Sequence, residues 1–295
     1  MEFTTELQKM LHKGKIVCIA DKDGVLSPPH GNVQHIQEIL QIVDAGHIFV
    51  IVSGANIDRA RREILSQLFG QNLTLKQCSN MFLIMNNGAS IYSFDKQKKD
   101  VTQIYHCSIQ DHISEKTVEK VLDILKETRE KFSEIKKLNN TLTGIQQIND
   151  EGTQIVFRIL GHTNDDVLRK TFDPTMSKRK KWAKYIAQQF KKEKIDLSVN
   201  VAGTSSINIL VPGISKASGI KHLSSFLKIP FEQMIYLGDS LAKEENDRAA
   251  GELVYMTVNF GKPMYDLKNI INSEIKGPEG SKTYLTKVIQ TIENK

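Results

Sequence analysis

The chain has 295 residues, 40% hydrophobic and 25% charged, the composition of a globular protein long enough to bury the core of one large domain or two medium ones. Its net charge of +6 is only moderately basic, and three scattered cysteines (Cys18, Cys78, Cys107) without CxxC or Cys/His clustering argue against a disulfide framework or structural zinc. Apolar runs such as Ile48 to Val52 are far too short to span a membrane and the first residues carry no basic or apolar leader, so a cytoplasmic protein without a membrane partner is expected.

A helix is predicted over residues 3–13. Lys15 to Ala20 then reads as a buried strand, apolar and rich in β-branched residues, ending at Asp21-Lys22-Asp23-Gly24. Val33, Ile36, Ile39, Leu40 and Val43 keep a helical period. His47 to Val52 is a second strand, ending at Ser53-Gly54, and a helix follows over 57–69. Met81 to Met85 is a third core strand, ending at Asn86-Asn87-Gly88. Strands alternating with helices in this way indicate βαβ units and a parallel sheet.

From residue 90 the texture changes. Residues 90–94 and 103–108 read as strands about a polar turn, and a charged amphipathic helix spans 115–132. Strands near 141–148 and 153–160 flank the hairpin signal Asn149-Asp150-Glu151-Gly152. A basic helix is expected over 174–192, then strands over 196–202 and 206–211. Ten Lys/Arg face four Asp/Glu between Asp165 and Lys194, with Trp182, Tyr185 and Phe190 among the few aromatics alongside. That does not make a nucleic-acid surface; it reads as a solvated helix face or a positive rim for an anionic substrate.

The α/β texture returns at Ser215 with a helix to Leu227. The strand Met234–Leu237 ends at Gly238-Asp239, followed by a helix over 242–250 and a strand over 253–258. Two closing helices with a Gly-Pro-rich link at 277–281 complete the chain. The fold class is therefore α/β: a Rossmann-like parallel-sheet core, residues 1–93 and 212–295, with an inserted α+β domain at 94–211.

Four places at strand ends or helix starts carry chemistry. Asp21 and Asp23 sit where the first strand ends, the usual ligand edge of open α/β sheets. Two carboxylates this close repel each other unless a cation neutralises them or one keeps a proton. Mg²⁺ acting on a phosphate supplies that cation and can use one carboxylate as nucleophile; a polar strand end before a tight turn is the plainer alternative. Ser53-Gly54 offers a hydroxyl and backbone N–H groups to the same crevice, or serves simply as a helix N-cap. Lys216 opens a helix against its dipole and prefers an anionic neighbour, a phosphate or the aspartate nucleophile, unless it is a surface lysine beside a Ser cap. Asp239, with Asn246 and Asp247 further on, either caps a turn or completes an octahedral Mg²⁺ shell with Asp21 and the Asp23 backbone.

In this order, these elements resemble the haloacid-dehalogenase-like superfamily of phosphotransferases over nearly the whole chain. Asp21-Lys-Asp23-Gly-Val resembles its first motif, Ser53-Gly its second, Lys216 its third, and Gly238-Asp239 with Asp247 its fourth. Asn87-Gly88-Ala89-Ser-Ile-Tyr92 resembles a stretch of the branch with a large α/β cap between the second and third motifs, which includes Cof-type, sugar-phosphatase and phosphomannomutase-like members. The resemblance implies that Asp21 attacks phosphorus to form an aspartyl-phosphate, while Asp23 protonates the leaving oxygen and then deprotonates water. It implies that Ser53, Gly54, Lys216 and Asn87 hold the phosphorylated small-molecule substrate, and that Asp21, Asp23, Asp239 and Asp247 hold Mg²⁺. The cap, through Arg158 and the run Lys178, Arg179, Lys180 and Lys181, is expected to select that substrate, most plausibly a sugar phosphate.

Some positions depart from the family pattern. Val25 replaces a more frequent Thr, Lys22 is unusual between the aspartates, and Ala55 stands where Arg is frequent. Six residues separate Asp239 from Asn246, with Glu244-Glu245 in place of Gly-Gly. That gap resembles phosphomannomutases, so a phosphohexomutase is the first alternative to a phosphatase. A phosphoprotein phosphatase using the basic cap is the second. A binding module on an inactive scaffold is the third, and it is disfavoured because every catalytic position is occupied.

Overall fold

The computed structural model describes residues 2–132, 134–135, 148–161, 165–243 and 247–295. The chain divides into two compact units, Met1–His106 with Ile214–Lys295, and Cys107–Gly213. In chain order the described strands are β1 (Val17–Asp21), β2 (Ile48–Val52), β3 (Met81–Met85), β4 (Ser90–Asp95), β5 (Asp100–His106), β6 (Ile148–Asp150), β7 (Gln154–Arg158), β8 (Ser198–Ala202), β9 (Ser206–Leu210), β10 (Met234–Gly238), β11 (Met256–Asn259) and β12 (Ile270–Asn272).

The first unit is built on an eight-stranded sheet in the order β12-β11-β10-β1-β2-β3-β4-β5. From β12 to β3 every pairing is parallel, and β1 lies in the middle, with Val17 opposite both Ile48 and Met234. These strands are apolar at consecutive positions because both faces are covered. Cys18, Ala20, Phe49, Ile51, Ile235 and Leu237 pack in one layer with Leu7, Ile39, Val43 and Leu285. Val17, Ile19, Val50, Val52 and Tyr236 pack in the other with Ile220 and Leu223.

The β4–β5 hairpin corrects the expected boundary at residue 93. It pairs antiparallel with β3, Leu83 opposite Tyr92 and Ile84 opposite Ile91, so the first unit runs through His106. Ile91 and Phe94 are buried and find their packing only as part of this sheet. The C-terminal segment also differs: β12 and one helix, Gly277–Glu293, stand where two helices were expected. Pro278 lies in the helix's first turn, where a missing N–H costs nothing, so Gly277-Pro278 starts a helix rather than linking two. The helix after β2 is interrupted, running as Ile57–Ala60, a π-helical turn Arg61–Leu65, and Ser66–Phe69. A short helix, Leu75–Ser79, precedes β3.

The second unit holds the antiparallel sheet β6-β7-β9-β8. Of the strand expected over 141–148, residues 141–147 lie outside the described residues and Ile148 begins β6. Ile155, Phe157, Ile207 and Ile209 form one buried apolar face, and Gln154, Arg158 and Asn208 alternate onto the other. Helix Ser177–Glu193 lies against β8 and β9 and against helix Glu115–Lys131. Arg179, expected on a basic rim, is instead buried: its Nε reaches Asp173 Oδ2 at 3.0 Å and its Nη1 reaches the Ala202 carbonyl at 2.9 Å. Asp173 also accepts the Lys178 and Arg179 N–H groups at 3.1 and 3.0 Å, capping that helix. Among the described residues no helix is long and apolar enough to cross a membrane.

Candidate active site

Parallel strands bring their C-terminal ends to one edge of the sheet. Asp21 closes β1 opposite Val52, so Ser53 follows directly on the neighbouring strand. On the other side β10 ends at Gly238, and Asp239 comes next. Helix Lys216–Leu227 delivers Lys216 in its first turn, behind a capping box between Ser215 and Ser218. Three of the sequence-predicted carboxylates converge: Asp21, Asp239 and Asp247 have oxygens within 4.8 Å of one another. Lys216 Nζ lies 2.8 Å from Asp21 Oδ1 and 2.6 Å from Asp247 Oδ1. Asp247 also accepts the Tyr236 hydroxyl at 2.8 Å and the N–H groups of Asp239 and Ser240, each at 3.3 Å. In the sequence Tyr236 reads as one more core residue of its strand.

Burial pushes the Asp21 carboxyl well above the usual carboxylate range; the Asp247 and Asp239 charges add to the push, and Lys216 opposes it. Burial and the Asp247 charge push Asp239 up to about 7. Burial also works against the Lys216 ammonium, but Asp21 and Asp247 outweigh it and keep the ammonium charged. Three carboxyl groups thus share one ammonium, so full ionisation of this all-oxygen donor set calls for a further cation. That is the chemistry a hard divalent cation requires, and Asp21, Asp239 and Asp247 fit Mg²⁺.

The turns around this cluster leave little room. Gly24 has φ +87°, and a Cβ there would lie 2.1 Å from Asp239 Oδ2. A Cβ on Gly54 would lie 2.8 Å from Asn87 Oδ1. Asn86, Asn87 and Gly88 are consecutively left-handed, with φ of 52°, 55° and 99°. They are tied to the end of β2 by Asn86 N–H to Ala55 O at 2.9 Å and Asn87 N–H to Ser53 O at 3.2 Å. Strained backbone held this way is a feature of binding sites. The Ser53 hydroxyl accepts the Ala55 N–H at 3.1 Å and keeps its own proton to donate. Ser53, Gly54 and Asn87 are therefore brought together.

Asp23 does not join the cluster with its carboxylate. Its Oδ1 accepts from Lys22 Nζ at 2.9 Å, His30 N at 2.8 Å and Arg59 Nη2 at 3.0 Å; its Oδ2 accepts from Arg59 Nη2 at 3.0 Å. Burial pushes its pKa up, but Arg59 and Lys22 prevail and hold it below the usual range. Lys22 is directed at Asp23 and Glu63. Arg59 and Glu63 went unnoticed in the sequence, where their i,i+4 spacing was the available signal. Arg158 belongs to the second unit, on β7, paired with Glu151 at 3.0 Å while its Nη1 has no hydrogen-bond partner among the described residues. Glu244, Glu245 and Asn246 lie outside the described residues.

None of the curated proteins matches the sequence. Among solved structures, N-terminally truncated, IMP-bound IMP-nucleotidase of Plasmodium falciparum superposes with a TM-score of 0.61 at 14% identity, covering 98% of this chain and 71% of that one. A trehalose-6-phosphate phosphatase related protein gives 0.52 at 15% identity, covering 95% and 100% of the two chains. A protein of Thermotoga maritima gives 0.55 at 13%, covering 95% and 97%. At such identities these likenesses establish the fold. Residues 18–258 match the family model of the haloacid dehalogenase-like hydrolases. That span includes Asp21, Ser53, Lys216, Asp239 and Asp247, and the chain belongs to the haloacid dehalogenase-like hydrolases.

Proposed function

We propose that this hydrolase is a Mg²⁺-dependent phosphatase acting on a small phosphorylated metabolite through an aspartyl-phosphate. The convergence of Asp21, Lys216, Asp239 and Asp247 carries this reading. Lys216 and the Lys22 N–H occupy Asp21 Oδ1, which leaves Oδ2 to attack phosphorus. The ester P–O bond breaks as the Asp21 Oδ2–P bond forms. Asp23, whose ionised form Arg59 and Lys22 favour, must enter the cycle protonated: it gives the leaving oxygen its proton and takes one from the water that hydrolyses the aspartyl-phosphate, restoring Asp21. The Ser53 hydroxyl and the Lys216 ammonium hold the phosphoryl oxygens as charge moves onto them, beside the rim made by Gly54 and Asn87. Asp21, Asp239 and Asp247, with the Asp23 backbone, would hold Mg²⁺, which when bound supplies charge neutralisation and polarisation of the phosphoryl group.

The substrate class is a sugar phosphate. The names of two structural neighbours, a trehalose-6-phosphate phosphatase related protein and an IMP-nucleotidase, both concern a phosphate carried on a sugar. The second unit selects the substrate. Arg158 Nη1 and Asn208 Oδ1, on one face of its sheet, are a buried donor and acceptor without a hydrogen-bond partner among the described residues, a pair of the kind that hydroxyl groups satisfy. A nucleoside monophosphate is the second reading, favoured by the likeness to IMP-nucleotidase. A mutase needs a second phosphate site, and the pairing of Arg158 with Glu151 counts against one there. The free cysteines support a reducing, cytoplasmic location.

Phosphate release from sugar phosphates and nucleoside monophosphates, with and without Mg²⁺, tests the reading when Asp21→Asn is run alongside. Mg²⁺-dependent release that the substitution abolishes supports it. Release that survives Asp21→Asn, or none from any compound, overturns it.

A further inference from the structure

The first unit holds a second charged assembly beside the carboxylate cluster. Lys22, only 1% exposed, reaches Asp23 Oδ1 at 2.9 Å and also Glu63. Arg59 reaches both Asp23 oxygens at 3.0 Å through Nη2, and Glu63 Oε1 at 2.8 Å through Nε. The four side chains close a ring, Lys22–Asp23–Arg59–Glu63, in which each charge touches two of opposite sign. A lysine this deeply buried persists only when paired so completely. The ring also joins two segments that the sheet alone leaves independent. Lys22 and Asp23 follow β1, whereas Arg59 and Glu63 sit on the interrupted helix after β2. Glu63 lies in its π-helical turn, and its carbonyl accepts the Val33 N–H at 2.9 Å.

The two oxygens of Asp23 are treated unequally. Oδ1 accepts three hydrogen bonds, from Lys22, the His30 N–H and Arg59, whereas Oδ2 accepts one, from Arg59. Charge-assisted bonds of this kind are short and directional, so three of them on one atom fix the carboxylate about that atom. We propose that Lys22, Arg59 and Glu63 are positioning residues for Asp23, which clamp Oδ1 and present Oδ2 to the leaving oxygen. This rests on the phosphatase reading and its assignment of Asp23. The proton passes from Oδ2 to the leaving oxygen as the ester bond breaks, and returns to Oδ2 from the hydrolytic water. Glu63 acts at one remove, by holding the Lys22 and Arg59 that hold Asp23.

The test is leaving-group dependence in the full-length protein. p-Nitrophenyl phosphate departs as a stable phenolate and needs little protonation, whereas an alkyl phosphate departs as an alkoxide and needs the proton. With Arg59→Gln or Glu63→Gln, kcat on the alkyl ester is expected to fall about tenfold or more, but less than about threefold on the aryl ester. That is a portion of the roughly 10²–10⁴ contributed by a positioned proton donor. Arg59→Lys, which keeps the charge but loses the fork, is expected to fall between. Asp23→Asn is expected to show the same bias more strongly. Equal losses on both esters, no loss, or a gain on the alkyl ester overturns the proposal, because damage to folding alone lowers both rates together. Bias in Asp23→Asn without bias in the ring variants overturns the ring alone. No bias even in Asp23→Asn, or a wild type inactive on both esters, overturns the ring together with the reading it rests on.

Discussion

The Tyr236 hydroxyl donates to Asp247 Oδ1 at 2.8 Å from inside β10, where the tyrosine is fully buried. The same oxygen accepts Lys216 Nζ at 2.6 Å, and Oδ2 accepts two backbone N–H groups. Asp247 is therefore held by four hydrogen bonds. Tyr236→Phe removes the hydroxyl and keeps the ring that fills the core. Outer partners of this kind are worth about 10–100-fold in metal affinity, so the Mg²⁺ dissociation constant should rise about tenfold. Calorimetric titration of Mg²⁺ into both proteins measures it directly. An unchanged constant would leave Tyr236 as packing only.

If Asp239 holds Mg²⁺ as proposed, it links cation binding to pH. Burial and Asp247 push its pKa up to about 7 in the cation-free fold, against about 3.9 in the unfolded chain. Between those values the folded state binds more protons, so this group makes stability fall as pH rises from about 4 to about 7. Mg²⁺ prefers the deprotonated cluster. Thermal unfolding in EDTA should therefore show a Tm that declines across that window, with Mg²⁺ restoring more at about pH 7.5 than at about pH 5. Asp239→Asn should flatten both trends. A Mg²⁺ gain of equal size at both pH values would contradict the assignment.

What could be read in the sequence follows from how local each signal is. Asp21, Ser53 and Asp239 each end an apolar run, so strand ends and ligand edge are visible together. Tyr236 hides because its ring satisfies the apolar strand pattern and only its hydroxyl matters. The ring of Lys22, Asp23, Arg59 and Glu63 needs the relative placement of a loop and a helix that belong to different βα units, which no window of sequence contains. Arg179 reads as surface because its neighbours Lys178, Lys180 and Lys181 are basic, and only Asp173, six residues away, explains its burial. Pro278 is ambiguous in the sequence because the same residue can break a helix or begin one.

Gly24 tests how closely the loop after β1 approaches the cluster. Gly24→Ala would set a methyl 2.1 Å from Asp239 Oδ2 while forcing alanine to φ +87°. The backbone strain costs about 1–3 kcal/mol, and Asp239 must move out of the cluster. Phosphate release should drop at least about tenfold, with the Mg²⁺ requirement shifted upward. Wild-type activity in a normally folded Gly24→Ala protein would refute the close approach.

Asp173 and Arg179 offer a test confined to the second unit. Asp173 is held below the usual carboxylate range: burial pushes it up, but the Arg179 N–H and guanidinium outweigh this. A depressed folded-state pKa gives stability that is present above the unfolded value of about 3.9 and lost as pH falls through the lower, folded one. Asp173→Asn leaves Arg179 buried without its counter-charge, at a cost of about 3 kcal/mol near neutral pH. Urea unfolding should show that gap at about pH 7 and its progressive closure as pH falls below about 3.9 and through the lower, folded-state value, where the wild-type carboxyl becomes neutral as well. If the gap stays constant at the lower pH, the loss comes from altered hydrogen-bond shape at the helix cap, and the ion pair is not what holds Arg179 in place.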